Sequence, residues 1–240
     1  LERSSGGYSN GMNIVCVKTG NAYSHIHVNR LFQMVSRYIS SPFSFYCIYD
    51  WIHDYGLHPH IQLSHVDRKL DLESYWWKMC IFDGRFKGPT LYFDMDTIIK
   101  GPLNLPYNEN KILSLYTGSD EYDAYPNAPT DFNSSMLYFD GDRHVDIYEK
   151  FMSDPERHML TSVGVCRFLY KYRDRFDFLQ PHKDYYSFWV KPPCIKKAKR
   201  IRYKNTEIFD YPDIPLVILN QTRAAGLLEE SYDYFKEHFS

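Results

Sequence analysis

No stretch of the 240-residue chain approaches about 18 consecutive apolar residues, so no membrane-spanning helix is expected. A basic excess is also missing. With 28 Lys+Arg against 30 Asp+Glu the net charge is −2, which argues against a general nucleic-acid binder. Cysteine is sparse and scattered: Cys16, Cys47, Cys80, Cys166 and Cys194 form an odd set with no C-x-x-C spacing. That excludes a zinc ribbon or redox pair of the usual kind and leaves no disulfide framework. No internal repeat occurs and no linker marks a second domain. Residues 1–11 (LERSSGGYSNG) lack the basic and apolar regions of a secretion signal. They read as a polar lead-in or an expression leftover, with Met12 as the expected native start, residues 12–240 as one domain and the cytoplasm as the expected location.

Aromatic residues are abundant, at 18% of the chain with 22 Tyr, 16 Phe and 4 Trp. Such a composition suits sugar-handling surfaces and an aromatic-heavy core alike. From Asn13 onward the pattern alternates strand and helix. NIVCV (13–17) is a β-branched run, and Val28, Leu31, Phe32, Val35, Tyr38 and Ile39 follow at helical spacing. Ser40-Ser41-Pro42 stops that helix before FSFYCIY (43–49). Strand, helix, strand is the unit of a mostly parallel sheet, so an α/β fold with flanking helices is expected. HIQLSHV (60–66), TLYFD (90–94), KILSLY (111–116), SSMLYF (134–139) and PLVIL (215–219) are further strands. Helical segments are expected at 73–83, 145–152, 156–171 and 228–238. The ten histidines include His25-x-His27 and His58-x-His60, without a third ligand at zinc spacing, and read as surface or loop residues.

LYFDMD places Asp94 and Asp96 at the end of an apolar strand. In an extended chain residues two apart point to one side, so both carboxylates converge. Strand ends of this kind hold ligands in α/β folds. Two carboxylates held together repel unless a proton or cation intervenes, and a hard divalent ion with phosphate oxygens satisfies them.

Two enzyme classes carry such a site. Asp94-Met95-Asp96-Thr97-Ile98 resembles the nucleophile motif of haloacid-dehalogenase-like phosphatases, with Asp94 as nucleophile. In that family the nucleophile usually opens the first strand, whereas at least two strands precede Asp94. The run WWKMCIFDGRFKGPTLYFDMDTIIKGPL (76–103) resembles the Asp-x-Asp segment of GT-A glycosyltransferases, nearest the glycogenin-like family 8 enzymes and their small bacterial or large-DNA-virus relatives. VCVKTGNAYSHIHVNRL, PFSFYCIYD and DFNSSMLYFD resemble three further segments of that family in order and spacing.

That resemblance implies a GT-A, Rossmann-like domain that moves a hexose from a UDP-sugar to a glycan, protein or lipid hydroxyl, in the host cytoplasm if the chain is viral. It implies Mn²⁺ or Mg²⁺ on Asp94 and Asp96. Thr19, Gly20 and Tyr23 would line base and ribose, Asp50 would meet the uracil, and Met95 would lie at the donor. Lys78 would reach the donor sugar or phosphate, with Asn133 and Ser134 at the sugar hydroxyls. The family's late histidine ligand is replaced by Asn220, and Arg223 stands for its phosphate lysine. Its Gly-Asp-Gln motif is missing, with Gly164-Val165-Cys166 near the expected place. A general base for an inverting reaction would come from Asp131, Asp120 or Asp123. A catalytically weak nucleotide-sugar-binding module is the alternative outside enzymes. The run KKAKRIRYK (196–204) reads as an edge strand kept soluble by its charge.

Overall fold

The computed structural model describes residues 11–49, 56–66, 72, 74–117, 131–162, 164–181, 183–187, 199–203, 206–210, 213–219 and 233–239. The chain begins with β1 (Met12–Lys18), α1 (His25–Tyr38), β2 (Phe43–Tyr49) and β3 (Ile61–His65). Helix α1 starts at a capping box: the Ser24 side chain accepts from Ile26 N–H, and the His27 ring engages the Ser24 amide. Its stripe Val28, Leu31, Phe32 and Val35 is buried, as its helical spacing predicts.

A 3-10 helix, Ser74–Phe82, leads to β4 (Pro89–Phe93) and β5 (Thr97–Ile99). The strands β6 (Ile112–Tyr116) and β7 (Phe132–Asp140) follow, then α2 (Val145–Met152), α3 (Pro155–Thr161) and α4 (Val165–Leu169). A second 3-10 segment, Tyr170–Arg175, joins α4 to β8 (Phe176–Leu179). The remainder holds β9 (Tyr185–Ser187), the paired β10 (Lys199–Tyr203) and β11 (Thr206–Asp210), and β12 (Leu216–Ile218).

Seven strands form the main sheet in the order β3-β2-β1-β4-β7-β6-β8. Only β7 runs against its neighbours, so the sheet is mostly parallel. From β1 the chain steps outward through β2 and β3, then returns to place β4 on the other flank of β1. The strand order therefore reverses between β1 and β4, and the crevice at their carboxyl ends is where this class of sheet binds ligands.

Alternation along the strands builds two cores. Ile14, Cys16, Leu91, Phe93, Met136 and Tyr138 face α1 and a small sheet of order β5-β12-β9. Val15, Tyr92, Leu137 and Phe139 face the first 3-10 helix, α2 and α4. The second core is aromatic. Trp76 is fully buried and stacks on Phe151 at 5.3 Å with 8° between ring planes, while Phe168 meets it edge-on at 6.3 Å.

Several sequence expectations need correction. The helix expected over 156–171 is two helices and a 3-10 segment, because Gly164 at φ 144° breaks it before α4. His25 and His27 sit on α1, not in a loop, and His27 is buried. Of the final helix expected over 228–238, residues 228–232 lie outside the described residues. The described part is helical at 233–234, as expected, and tightens after buried Phe235 into a 3-10 turn at Lys236–His238. Residues 199–203 form a strand, as expected, and among the described residues it pairs with β11 alone, which leaves it an edge strand. Among the described residues no helix is long and apolar enough to cross a membrane.

Candidate functional site

Strand β4 ends at Phe93, one residue before Asp94, and Asp94–Asp96 turn the chain from the main sheet into β5 of the small sheet. The two carboxylates are thus brought to one place by a turn between sheets rather than by the pleat of one strand. Both line a cleft of about 390 Å³ together with Val17, Thr19, Ala22, Tyr23, Tyr75, Lys78, Tyr92 and Met95. This is the β1/β4 crevice. Its walls are the segment after β1 on one side and the 3-10 helix on the other.

The 3-10 helix explains how a lysine comes to lie inside. With three residues per turn, positions three apart eclipse. Trp76, Met79 and Phe82 form one row and are buried in the aromatic core. Tyr75, Lys78 and Ile81 form another that runs from open cleft to core, with 51%, 8% and 0% exposure. At the middle of that row the Lys78 ammonium lies 2.8 Å from Asp94 Oδ1 and donates to Oδ2 at 2.9 Å. It also donates to the carbonyl and hydroxyl of Ser134, each at 3.2 Å. Since β7 runs antiparallel to β4, its first residues lie beside the end of β4, and Asp94 N–H donates to the Ser135 carbonyl at 2.7 Å.

Tyr92 completes the arrangement. It is 2% exposed, its hydroxyl donates to Asp94 Oδ1, and the Lys78 ammonium stands 5.2 Å from its ring centre. Burial first, and then the Asp94 carboxylate, hold the Tyr92 phenol well above its usual range. The phenol therefore remains a proton donor.

The cleft gathers six of the sequence candidates: Thr19, Tyr23, Lys78, Asp94, Met95 and Asp96. Gly20 has φ 63°, a left-handed conformation that glycine takes without strain. Tyr23 meets the His27 ring edge-on at 5.4 Å. Ser134 reaches the cleft through Lys78, and its hydroxyl lies 3.2 Å from Cys166 Sγ. Asn133 uses its side-chain oxygen to accept from Ser135 N–H at 2.7 Å, which caps the entry to β7. Asp131 is outside the residues lining the cleft, and both its carboxylate oxygens accept from Arg173 Nε at 2.9 Å. Asp50, Asp120, Asp123, Asn220 and Arg223 lie outside the described residues. The described chain reaches Leu219, whose N–H donates to the Asp96 carbonyl at 2.9 Å.

Sequence reasoning missed Tyr92 and Tyr75. Tyr92 had a readable signal, since it stands two residues before Asp94 on an extended segment. Tyr75 had none, because nothing in SYWWKMCIF announces a period of three.

The oxygen donors of Asp94 and Asp96 suit a hard cation such as Mn²⁺ or Mg²⁺. A carboxylate offers about four lone-pair positions. Tyr92 donates to Oδ1 and Lys78 to Oδ2, with the ammonium also within ion-pair distance of Oδ1, so Oδ1 is the more crowded oxygen and Oδ2 the more open. The donor chemistry of Asp94 and Asp96 thus fits a hard metal ion that both would hold.

No protein-family model matches the chain, and no curated protein sequence does. Solved structures do match. The chain is similar to the bifunctional glycosyltransferase WbbM in its apo form over 100% of this chain and 51% of that one, with a TM-score of 0.66 and 11% identity. It is similar to the galactosyltransferase LgtC, solved with donor and acceptor sugar analogues, over 95% of each chain (TM-score 0.55, 11% identity). The apo-form glycosyltransferase GlyE of Streptococcus pneumoniae TIGR4 matches over 70% of this chain and 44% of its own (TM-score 0.50, 17% identity). The chain spans about half the length of the GlyE and WbbM chains. At these identities the likeness establishes the architecture, a mixed α/β fold of the GT-A glycosyltransferase type.

Proposed function

We propose that the chain is a metal-dependent glycosyltransferase that moves a hexose from a UDP-sugar to a hydroxyl of a glycan, protein or lipid. One observation carries this reading above the others. The Asp-x-Asp turn, Lys78 and the segment after β1 line a single cleft at the point where the strand order of a GT-A-type sheet reverses.

Under this reading Tyr23 stacks on the base and Gly20 lets the backbone approach the nucleotide. Asp94 and Asp96 hold Mn²⁺ or Mg²⁺, and Asn220, next in sequence to Leu219, offers a third oxygen. When bound there, such an ion would supply positive charge that offsets the leaving diphosphate. Lys78 adds a second positive charge on the same wall, braced by Asp94 and Ser134 and aimed by the 3-10 helix. Partial exclusion of water in the cleft strengthens each of these interactions. Asp131 serves as general base only where its ion pair with Arg173 opens.

Calorimetric titration of UDP, with and without Mn²⁺, tests the reading on the wild type and on an Asp94→Asn/Asp96→Asn variant. Micromolar binding that needs both metal and aspartates is expected, followed by slow hydrolysis of the matching UDP-sugar. Binding without any hydrolysis or transfer would mark a binding module. No UDP binding, with phosphate release from phosphomonoesters instead, would replace the transferase by the phosphatase.

A further inference from the structure

Tyr92 stands on β4, lines the cleft and donates its hydroxyl to Asp94 Oδ1. Its ring packs into the aromatic core while its hydroxyl reaches the cleft, so its position is set by the core and not by a ligand. From the other side Lys78 bridges both Asp94 oxygens and lies over the same ring. Asp94 is therefore clamped between a neutral donor fixed to the sheet and a cation fixed to the 3-10 helix. Oδ1 has both partners within reach, and Oδ2 is the more open toward a ligand.

We propose that Tyr92 is a positioning residue for nucleotide and metal binding: by holding Oδ1 it fixes the rotation of the Asp94 carboxylate and turns Oδ2 toward the cation's place. The inference rests on the glycosyltransferase reading above. Its physical basis is that a free aspartate can turn about its last bond and offer either oxygen or both, and loses that freedom when it binds. A carboxylate oriented in advance has less to lose. Groups that hold a metal ligand in this way typically contribute about 10–100-fold to metal affinity when they are removed.

The test is a titration of Mn²⁺ in the presence of UDP, following the free-ion signal by electron paramagnetic resonance, on the wild type and Tyr92→Phe. The same proteins are titrated with UDP up to millimolar concentration in the absence of metal, where the residual weak binding is read, and thermal unfolding reports whether the variant is folded. Tyr92→Phe is expected to weaken Mn²⁺ binding about tenfold while leaving the metal-free titration unchanged. The Asp94→Asn background supplies the second measurement. If Tyr92 acts through Asp94, adding Tyr92→Phe to Asp94→Asn changes Mn²⁺ affinity no further.

Three results overturn the inference. Mn²⁺ affinity of Tyr92→Phe within about twofold of the wild type leaves the hydroxyl without a role in positioning. Equal loss with and without Mn²⁺ makes its role one of packing. A full additional loss in the Asp94→Asn background shows that it acts elsewhere. Failure of the parent reading looks different, since there the wild type itself shows no Mn²⁺-dependent UDP binding, and both fall together.

Discussion

Trp76 and Lys78 stand two residues apart on one 3-10 helix and serve opposite environments. Trp76 faces an aromatic core, where it is fully buried and its ring lies flat on Phe151. Lys78 faces the crevice, where almost every contact it makes is polar or charged. One surface is non-directional and tolerates any filling of the right volume. The other is directional, and its worth depends on each donor meeting its acceptor. The helix is the rigid piece that lets the core set the position of the charge. Nine residues is long for a 3-10 helix, and the eclipsed rows it creates are what separate the two jobs so sharply.

This contrast can be broken from either side. Trp76→Ala should have the largest effect, about 3–5 kcal/mol of stability in urea unfolding, through the cavity left against Phe151 and Phe168. The folded fraction should still bind UDP with the wild-type metal requirement. A loss of nucleotide affinity out of proportion to stability would show that core and cleft are coupled through the helix.

Asp96→Asn should do the reverse. UDP affinity in the presence of Mn²⁺ should fall about 100-fold, or about 2.8 kcal/mol, while the unfolding midpoint barely moves. Lys78→Met comes next. It removes the charge and keeps most of the stem, so UDP affinity should fall about tenfold. Lys78→Arg should recover part of the loss, because a planar guanidinium cannot meet Asp94 and Ser134 in the same way. Full recovery would mean that Lys78 supplies charge alone.

The smallest effect is a pH dependence on the core side. His144 is 3% exposed, and burial first, then Arg175, lowers its pKa from the usual 6.5. The unfolded chain takes up the proton first, so the stability from neutral His144 is fully present above 6.5 and declines as the pH falls through 6.5 toward the folded value. Urea midpoints should drop between pH 7.5 and 5.5, and His144→Gln should flatten that slope. UDP binding should not follow it.

Much of the main sheet was legible in the sequence because its strands are buried on both faces. Runs such as NIVCV and FSFYCIY announce themselves by continuous apolar, β-branched and aromatic character. Shorter pieces were mostly not legible. Strands β5 and β9 are three residues each and exist because each has a partner to pair with, whereas β12, equally short, is announced by the apolar run PLVIL. The site was half readable. Asp94 and Asp96 stood out as a charged break in an apolar run, and Gly20 as a turn glycine. Their convergence was expected from strand pleating, yet it comes from the turn that carries the chain between two sheets.

The amino-acid pattern by itself therefore determined the alternating α/β layout, the place of most main-sheet strands along the chain and the acidic pair at the end of β4. These follow from local periodicity, which needs no knowledge of distant neighbours. Only the tertiary structure decided which side chains meet that pair. Lys78 reaches Asp94 across 16 positions and Ser134 across 56, and Asp131 is drawn to Arg173 across 42. The reason is that such contacts depend on the reversal of strand order between β1 and β4 and on the antiparallel entry of β7. Those long-range choices leave no mark in the spacing of any one segment.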